Sequence, residues 1–339
     1  MKSSHLRLPS ESVRVLVTRT IGDECLRRIS DVSPRIELID AADILIAEQK
    51  GDPTARGELD DLLATTEVIF GLYLPQNVII RADRLRWVQV ISAGVEHVLT
   101  PEIIQSPVVM TNIKGMSATP IAEFVIGVAL MFVKQAPLCF QLKQVKQWPV
   151  FTVSGLHLKT MGIVGLGNIG REVARLAKAF GMRVIATRRT AGESKKVRNV
   201  DIMLPSERLP ELLSESDFVA LTLPFTPETD KLIGEKELRA MKPTAYLINI
   251  SRGKVVDEEA LLRALEERWI AGAGLDVFAT EPLPKNSRLW DLPNVILSPH
   301  IAGSTENEIE MATGLFTDNL KRYLNGDRLF NVVDKKKGY

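Results

Sequence analysis

Residues 161–171 read Met-Gly-Ile-Val-Gly-Leu-Gly-Asn-Ile-Gly-Arg, and this stretch decides the fold. Met161 to Val164 is a short apolar run suited to a buried strand. Gly165, Gly167 and Gly170 then supply the spacing G-x-G-x-x-G, and Ile169, Val173, Leu176, Ala177 and Phe180 recur at helical intervals. Strand, glycine turn and amphipathic helix in that order suit a backbone that must come close to a pyrophosphate. The first glycine permits the tight turn, the second removes a side chain from the path of the phosphates, and the third lets helix and strand pack closely. The helix start, at Asn168 and Ile169, adds free N–H groups and a partial positive charge.

Working outward, the same alternation covers most of the chain. Before the glycine run, Val13–Thr18, Ile36–Asp40, Val68–Gly71 and Trp87–Ile91 read as strands, with Asp23–Ile29, Leu59–Ala64 and Asn77–Ala82 as helices between them. A long apolar helix is expected over Thr119–Val133, and the segment Gln141–Lys159 is expected to loop across the surface. After Met161–Val164, strands are expected at Arg183–Ala186, Phe218–Leu223, Ala245–Ile250, Ala271–Leu275 and Val295–Leu297, and a last helix at Glu306–Leu324. The fold class is α/β, with two doubly wound parallel sheets.

The chain has 339 residues, enough for two domains, and is 45% hydrophobic and 25% charged, the balance of a water-exposed globular protein. A net charge of +1 gives no electrostatic case for nucleic acid or an anionic membrane. Met1–Ser12 lacks the apolar core of a secretory signal, and the most apolar stretch, Phe124–Val133, is too short to span a bilayer. Cys25 and Cys139 lie far apart and have no metal-ligand or redox spacing around them. The expectation is a cytoplasmic protein without a metal site.

The residues that carry chemistry follow the strand ends. Gly165, Arg188, Pro224, Ser251-Arg252, Asp276 and His300 each lie just past an apolar run, where a doubly wound sheet binds its ligands. At the end of the second strand after the glycine run, where an NAD enzyme usually carries an acid, the sequence is Thr187-Arg188-Arg189-Thr190, with Lys195, Lys196 and Arg198 shortly after. A guanidinium pairs with a 2′-phosphate through two N–H donors, so NADP is preferred over NAD. Reducing a 2-oxo acid requires a cation for the carboxylate, a donor that polarises the carbonyl, a proton source and an oriented nicotinamide. Arg252 in Asn249-Ile-Ser-Arg-Gly253 offers the cationic fork. His300 in Ser298-Pro-His-Ile-Ala-Gly303 offers an acid/base near neutral pH, and Glu281 in Thr280-Glu-Pro282 is the candidate partner for its other nitrogen. Asp276 is expected to accept from the nicotinamide carboxamide.

As a set, these segments resemble the D-isomer-specific 2-hydroxyacid dehydrogenases. The resemblance also rests on Ala179-Phe-Gly-Met182, Thr222-Leu-Pro-Phe-Thr-Pro-Glu-Thr229, Val90-Ile-Ser-Ala-Gly-Val-Glu96 and Pro120-Ile-Ala-Glu123, and extends over essentially the whole chain. It implies that Arg252, Glu281 and His300 are catalytic. It implies a dinucleotide-binding domain over 111–301, and a discontinuous substrate domain, flavodoxin-like, from 1–110 and 302–339. Within the cofactor domain it implies contacts from Gly165, Gly167, Asn168, Ile169, Gly170, Arg188 and Arg189. Leu223, Pro224, Thr229, Ile250, Ser251, Arg252, Asp276, His300 and Gly303 are expected to complete that site. The N–H groups of Ala93, Gly94 and Val95 are expected to hold the substrate carboxylate beside Arg252 and His300, and a homodimer is the expected assembly. The loop Gly71-Leu-Tyr-Leu-Pro75 has no Arg or Lys to read a phosphate, which disfavours a 3-phosphoglycerate enzyme; Leu72, Tyr73 and Leu74 are the candidates to face a small or apolar substrate group, with core filling the alternative for Tyr73. Glyoxylate and hydroxypyruvate head the substrates, with pyruvate and longer 2-oxo acids open. The alternative is a dinucleotide-sensing, corepressor-like binding protein on the same fold; the short ends, Met1–Ser12 and Asp327–Tyr339, favour the enzyme.

Overall fold

Strand length and burial divide the chain into two parallel sheets. The computed structural model describes residues 12–189 and 196–338, so Thr190 and Lys195 lie outside the described residues. One unit takes in the chain up to Met116 and resumes at Thr305; the other is Ser117–Ser304.

The first unit holds β1 (Val13–Val17), β2 (Ile36–Asp40), β3 (Val68–Gly71), β4 (Trp87–Val90) and β5 (Val109–Thr111), in the order β2-β1-β3-β4-β5, all parallel. β5 lies within a stretch read as connecting chain before the long apolar helix. Its pairing with β4 keeps Thr111 in this unit, and buried Ile113 keeps the following residues there too, so the division falls after Met116 rather than at residue 111. The region between β2 and β3 carries two helices, Ala42–Gln49 and Pro53–Leu63, where one was expected. Asp52 caps the second, its carboxylate accepting from Thr54 N–H at 2.8 Å, with Pro53 in the first helical position. The returning C-terminal helix, Glu308–Asn325, buries Phe316 in a stack 4.2 Å from Phe70 and 5.1 Å from Trp87. Asn319 on that helix donates to Gln89 Oε1 at 2.9 Å, so the last helix is matched to this sheet by polar as well as apolar contacts.

The second unit holds β6 (Thr160–Val164), β7 (Arg183–Arg188), β8 (Ile202–Pro205), β9 (Phe218–Leu221), β10 (Tyr246–Asn249), β11 (Gly272–Leu275) and β12 (Val295–Leu297). Their order, β12-β11-β10-β9-β6-β7-β8, reverses direction between β6 and β9. β6 and β9 are buried along their whole length, the mark of a parallel sheet covered on both faces. Successive residues alternate between the two covers: Val219 and Leu247 face one core, Ala220 and Ile248 the other. Helix Ala118–Val133 lies on the second face, where Gly274 of β11 makes room for Val128; a Cβ there would stand 2.4 Å from Val128 Cγ1. The following helix, Ala136–Gln144, extends into the segment expected to be loop, and none of its residues is buried. Among the described residues no single helix is long and apolar enough to cross a membrane.

Candidate active site

The glycine turn follows β6, beside the point where the strand order reverses. Gly165 has φ +98°, and a Cβ there would lie 2.8 Å from Leu223 Cβ on the neighbouring loop after β9. A Cβ on Gly170 would meet the Gly165 carbonyl oxygen at 2.6 Å, and that carbonyl already accepts from Thr222 Oγ1 at 2.6 Å. Around Gly167 the space is open. The turn is thus tight on the protein side and clear on the other, and the first N–H groups of helix Asn168–Ala179 have no intrahelical acceptor. Those features fit a pyrophosphate.

Along the crevice, Arg188 ends β7 and is exposed, as is Arg189. The Thr226 hydroxyl, the backbone N–H of Glu228 and, least, the charge of Arg189 hold the Glu228 carboxyl below its ordinary range. Thr229 shapes the loop after β9: its hydroxyl donates to the Pro224 carbonyl at 2.9 Å and accepts from Thr226 N–H at 2.7 Å.

Three loops carry the ionisable residues. After β10, Asn249 Oδ1 accepts from Ser251 N–H at 3.1 Å and Ser251 Oγ at 2.9 Å, while Asn249 Nδ2 donates to the Arg252 carbonyl at 3.1 Å. This buried amide sets the turn that presents Arg252, which is itself half-buried. Gly253 then lets the loop lie on the backbone at Phe278 and Ala279; a Cβ would sit 1.8 Å from the Phe278 carbonyl carbon. Three residues on, Glu281 Oε1 accepts from Phe278 N–H at 3.0 Å, and Glu281 Oε2 is 2.8 Å from His300 Nδ1. An ionised carboxylate can only accept, so Nδ1 is the donor and Nε2 is left for chemistry. The pair is open to solvent, with side-chain exposures of 50% for His300 and 36% for Glu281. Arg252, Glu281 and His300 are therefore linked through one set of packed loops within the second unit.

His300 has φ +56°, a conformation its surroundings must enforce. Asp276 supplies the constraint. It is 1% exposed at the end of β11, and its oxygens accept from Ser298 Oγ at 2.6 Å, Ile301 N–H at 2.8 Å and Ala302 N–H at 3.0 Å. The partners the structure gives Asp276 all lie in the His300 loop itself. Ile250 and Ser251 are buried beside it, and Gly303 packs on Ser117, 3.2 Å from the site of a Cβ.

In the first unit, Ala93, Gly94 and Val95 follow β4. Asn112 Nδ2 donates to the Ala93 carbonyl and Ser92 Oγ to the Gly94 carbonyl, each at 2.6 Å. Tyr73, after β3, is 53% exposed and meets the His97 ring edge-on at 5.7 Å; His97 Nε2 lies 2.9 Å from the Leu72 carbonyl oxygen.

Residues 126–302 match the model of the D-isomer specific 2-hydroxyacid dehydrogenase NAD binding domain. Over 95% of each chain, the sequence is 33% identical to the glyoxylate reductase of Thermofilum pendens. The chain belongs to the D-isomer-specific 2-hydroxyacid dehydrogenase family. It is also 40% identical to the glyoxylate reductase of Thermococcus gammatolerans, over 75% of this chain and 78% of that one. The solved structure of an NADPH-dependent glyoxylate/hydroxypyruvate reductase from Sinorhizobium meliloti, in complex with NADP and sulfate, superimposes with a TM-score of 0.81 at 28% identity, covering 97% of this chain and 100% of that one. Family membership makes a nicotinamide dinucleotide the cofactor of this dehydrogenase, and the matched span contains the glycine turn together with Arg252, Asp276, Glu281 and His300.

Asn249, Ser298 and Asn112 escaped the reading of the sequence. Asn249 had a usable signal, a short polar side chain at the last position of an apolar strand. Ser298 and Asn112 had none, because their partners are 22 and 19 residues away.

Proposed function

We propose that the protein reduces a small 2-oxo acid, glyoxylate or hydroxypyruvate, to the 2-hydroxy acid with NADPH. The observation that carries this reading is the 2.8 Å pairing of His300 Nδ1 with Glu281, on a loop held by Asp276. The bound dinucleotide supplies the hydride. His300 Nε2 holds the proton for the carbonyl oxygen, and Glu281 stabilises the imidazolium and fixes the ring. Proton transfer of this kind is worth roughly 10²–10⁴-fold in rate. Arg252 offers N–H donors to the substrate carboxylate and to the charge that develops on the carbonyl oxygen. The N–H groups of Ala93, Gly94 and Val95 are read as donors to a carboxylate, and Tyr73 as a residue facing the substrate. With no cation in Gly71–Pro75, a phosphorylated substrate lacks a partner there.

The glycine turn, Asn168 and Ile169 would hold the pyrophosphate, with Leu223, Pro224 and Gly303 lining the rest of the cofactor's path. NADPH is preferred over NADH because Arg188 and Arg189 stand where an acid would favour the unphosphorylated ribose. A second copy of the chain pairs through the segment after helix Ala136–Gln144, where Trp148 is 95% and Val150 96% exposed beside Phe140 and Val145. A cytoplasmic location suits Cys25 and Cys139, both free thiols.

The test is purified protein with NADPH or NADH and a panel of 2-oxo acids, its mass measured by sedimentation. Turnover of glyoxylate or hydroxypyruvate, faster with NADPH, and a dimer mass are expected. No oxidation of either cofactor by any 2-oxo acid overturns the reading, and a monomer mass overturns the pairing.

A further inference from the structure

We propose that Asn112, backed by Asn331 of the C-terminal segment, is a positioning residue that aims the Gly94 and Val95 N–H groups at the substrate carboxylate. This rests on the reading that the loop after β4 holds that carboxylate.

The argument starts from the peptide plane. Among the described residues the one cis peptide is Glu281-Pro282, so the peptide units around Gly94 are trans, with C=O and N–H on opposite sides. Asn112 Nδ2 pulls the Ala93 carbonyl toward itself at 2.6 Å, and this turns the Gly94 N–H the opposite way. Ser92 Oγ does the same to the Gly94 carbonyl at 2.6 Å, which turns the Val95 N–H away. Among the described residues neither N–H donates to a backbone carbonyl. Two successive N–H groups with their carbonyls tied back form a small anion-binding concavity whose orientation is fixed before any anion arrives.

Asn112 can pull because it is itself immobilised. It is 2% exposed, and its Oδ1 accepts from Lys114 N–H at 3.2 Å. Its main chain is then held by a residue more than two hundred positions later. Asn112 N–H donates to the Asn331 carbonyl at 3.3 Å, and Asn331 Nδ2 donates to the Asn112 carbonyl at 3.2 Å and to the Lys114 carbonyl at 2.9 Å. Asn331 makes these bonds from φ +53°, a conformation asparagine tolerates better than most residues. The segment around it is clamped on both sides. Phe330 N–H donates to Asn319 Oδ1 at 2.7 Å, and Val333 N–H to the Met110 carbonyl at 2.8 Å. Further along, Lys335 Nζ donates to the carbonyls of Ile103, Ser106 and Val108 at 2.8, 2.6 and 3.0 Å. The C-terminal segment thus sets substrate affinity through Asn112 without touching substrate.

The test compares Asn112→Ala, Ser92→Ala and Asn331→Ala with the parent enzyme. For the first two, KM for glyoxylate rises about tenfold while kcat and the NADPH Kd hold, the size expected when one oriented donor is lost. Asn331→Ala, one step further back, gives a smaller rise of about threefold. Binding of oxalate, a non-reacting dicarboxylate, measured by calorimetry, weakens by the same factors. If Asn112→Ala fails to fold, Ser92→Ala carries the test, because the contacts of the C-terminal segment do not involve its hydroxyl. A fall in kcat at unchanged KM, or parent-like oxalate affinity in Asn112→Ala and Ser92→Ala, overturns the positioning role alone. A parent protein that neither turns over 2-oxo acids nor binds oxalate overturns the functional reading and this inference together.

Discussion

Two strand-to-helix turns occupy equivalent places in the two sheets, and only one of them suits a phosphate. In each unit the first strand, β1 or β6, lies inside the sheet and leads into a helix: Asp23–Ser30 after β1, Asn168–Ala179 after β6. Both helices have a glycine as N-cap, Gly22 and Gly167. Beyond that they diverge. Helix Asp23–Ser30 opens with Asp23 and Glu24, which neutralise the positive end of its dipole and repel an anion. Helix Asn168–Ala179 has no acid in its first turn. Room does not separate them, since a Cβ on Gly22 or on Gly167 would meet nothing within 4 Å; the charge of the first turn does. Shared topology therefore places a potential anion site in both units, and the residues of one turn decide which is usable.

The largest expected effect tests whether the second unit carries the chemistry. His300→Ala lowers kcat by roughly 10²–10⁴-fold and leaves NADPH affinity near its parent value, read by steady-state kinetics and fluorescence titration. Parent-like kcat would show that another group supplies the proton. Next, Arg188→Asp weakens NADPH by about tenfold to a hundredfold and NADH much less, since a charged hydrogen bond is worth about 1.5–3 kcal/mol. Equal losses for the two cofactors would remove Arg188 from the phosphate. The smallest effect bears most directly on the comparison. Asn168→Asp gives the second helix the acidic first turn of the first, and weakens both cofactors by about threefold to tenfold at low salt, in keeping with helix-end charges worth about 0.3–1 kcal/mol plus repulsion of the pyrophosphate. The loss shrinks as salt rises; unchanged affinity would mean that this helix end does not face the phosphates.

The difference between these two turns was legible in the residues. Gly165, Gly167 and Gly170 announce close approach of backbone to ligand, and Asp23-Glu24 announces the opposite. Strands of four residues or more with strong apolar runs, such as Thr160–Val164 and Phe218–Leu221, could likewise be read directly. β5 and β8 were not read; β8 is an edge strand half-covered along most of its length, which leaves it no continuous apolar run. Helix Ala136–Gln144 was missed: with none of its residues buried, it has no covered apolar face to impose a period.

The order of residue types along the chain thus settled the α/β class, the place of the glycine turn and the candidacy of Arg252, Glu281 and His300, because backbone sterics and hydrophobic periodicity act between near neighbours. Only the tertiary structure decided that Asp276 holds the His300 loop, that Gly253 lies against Phe278, and that Asn331 supports Asn112. Those contacts join residues from about twenty to more than two hundred positions apart, and a hydrogen bond across such a span is selected by the packing of whole elements, which leaves no mark on the sequence around either partner.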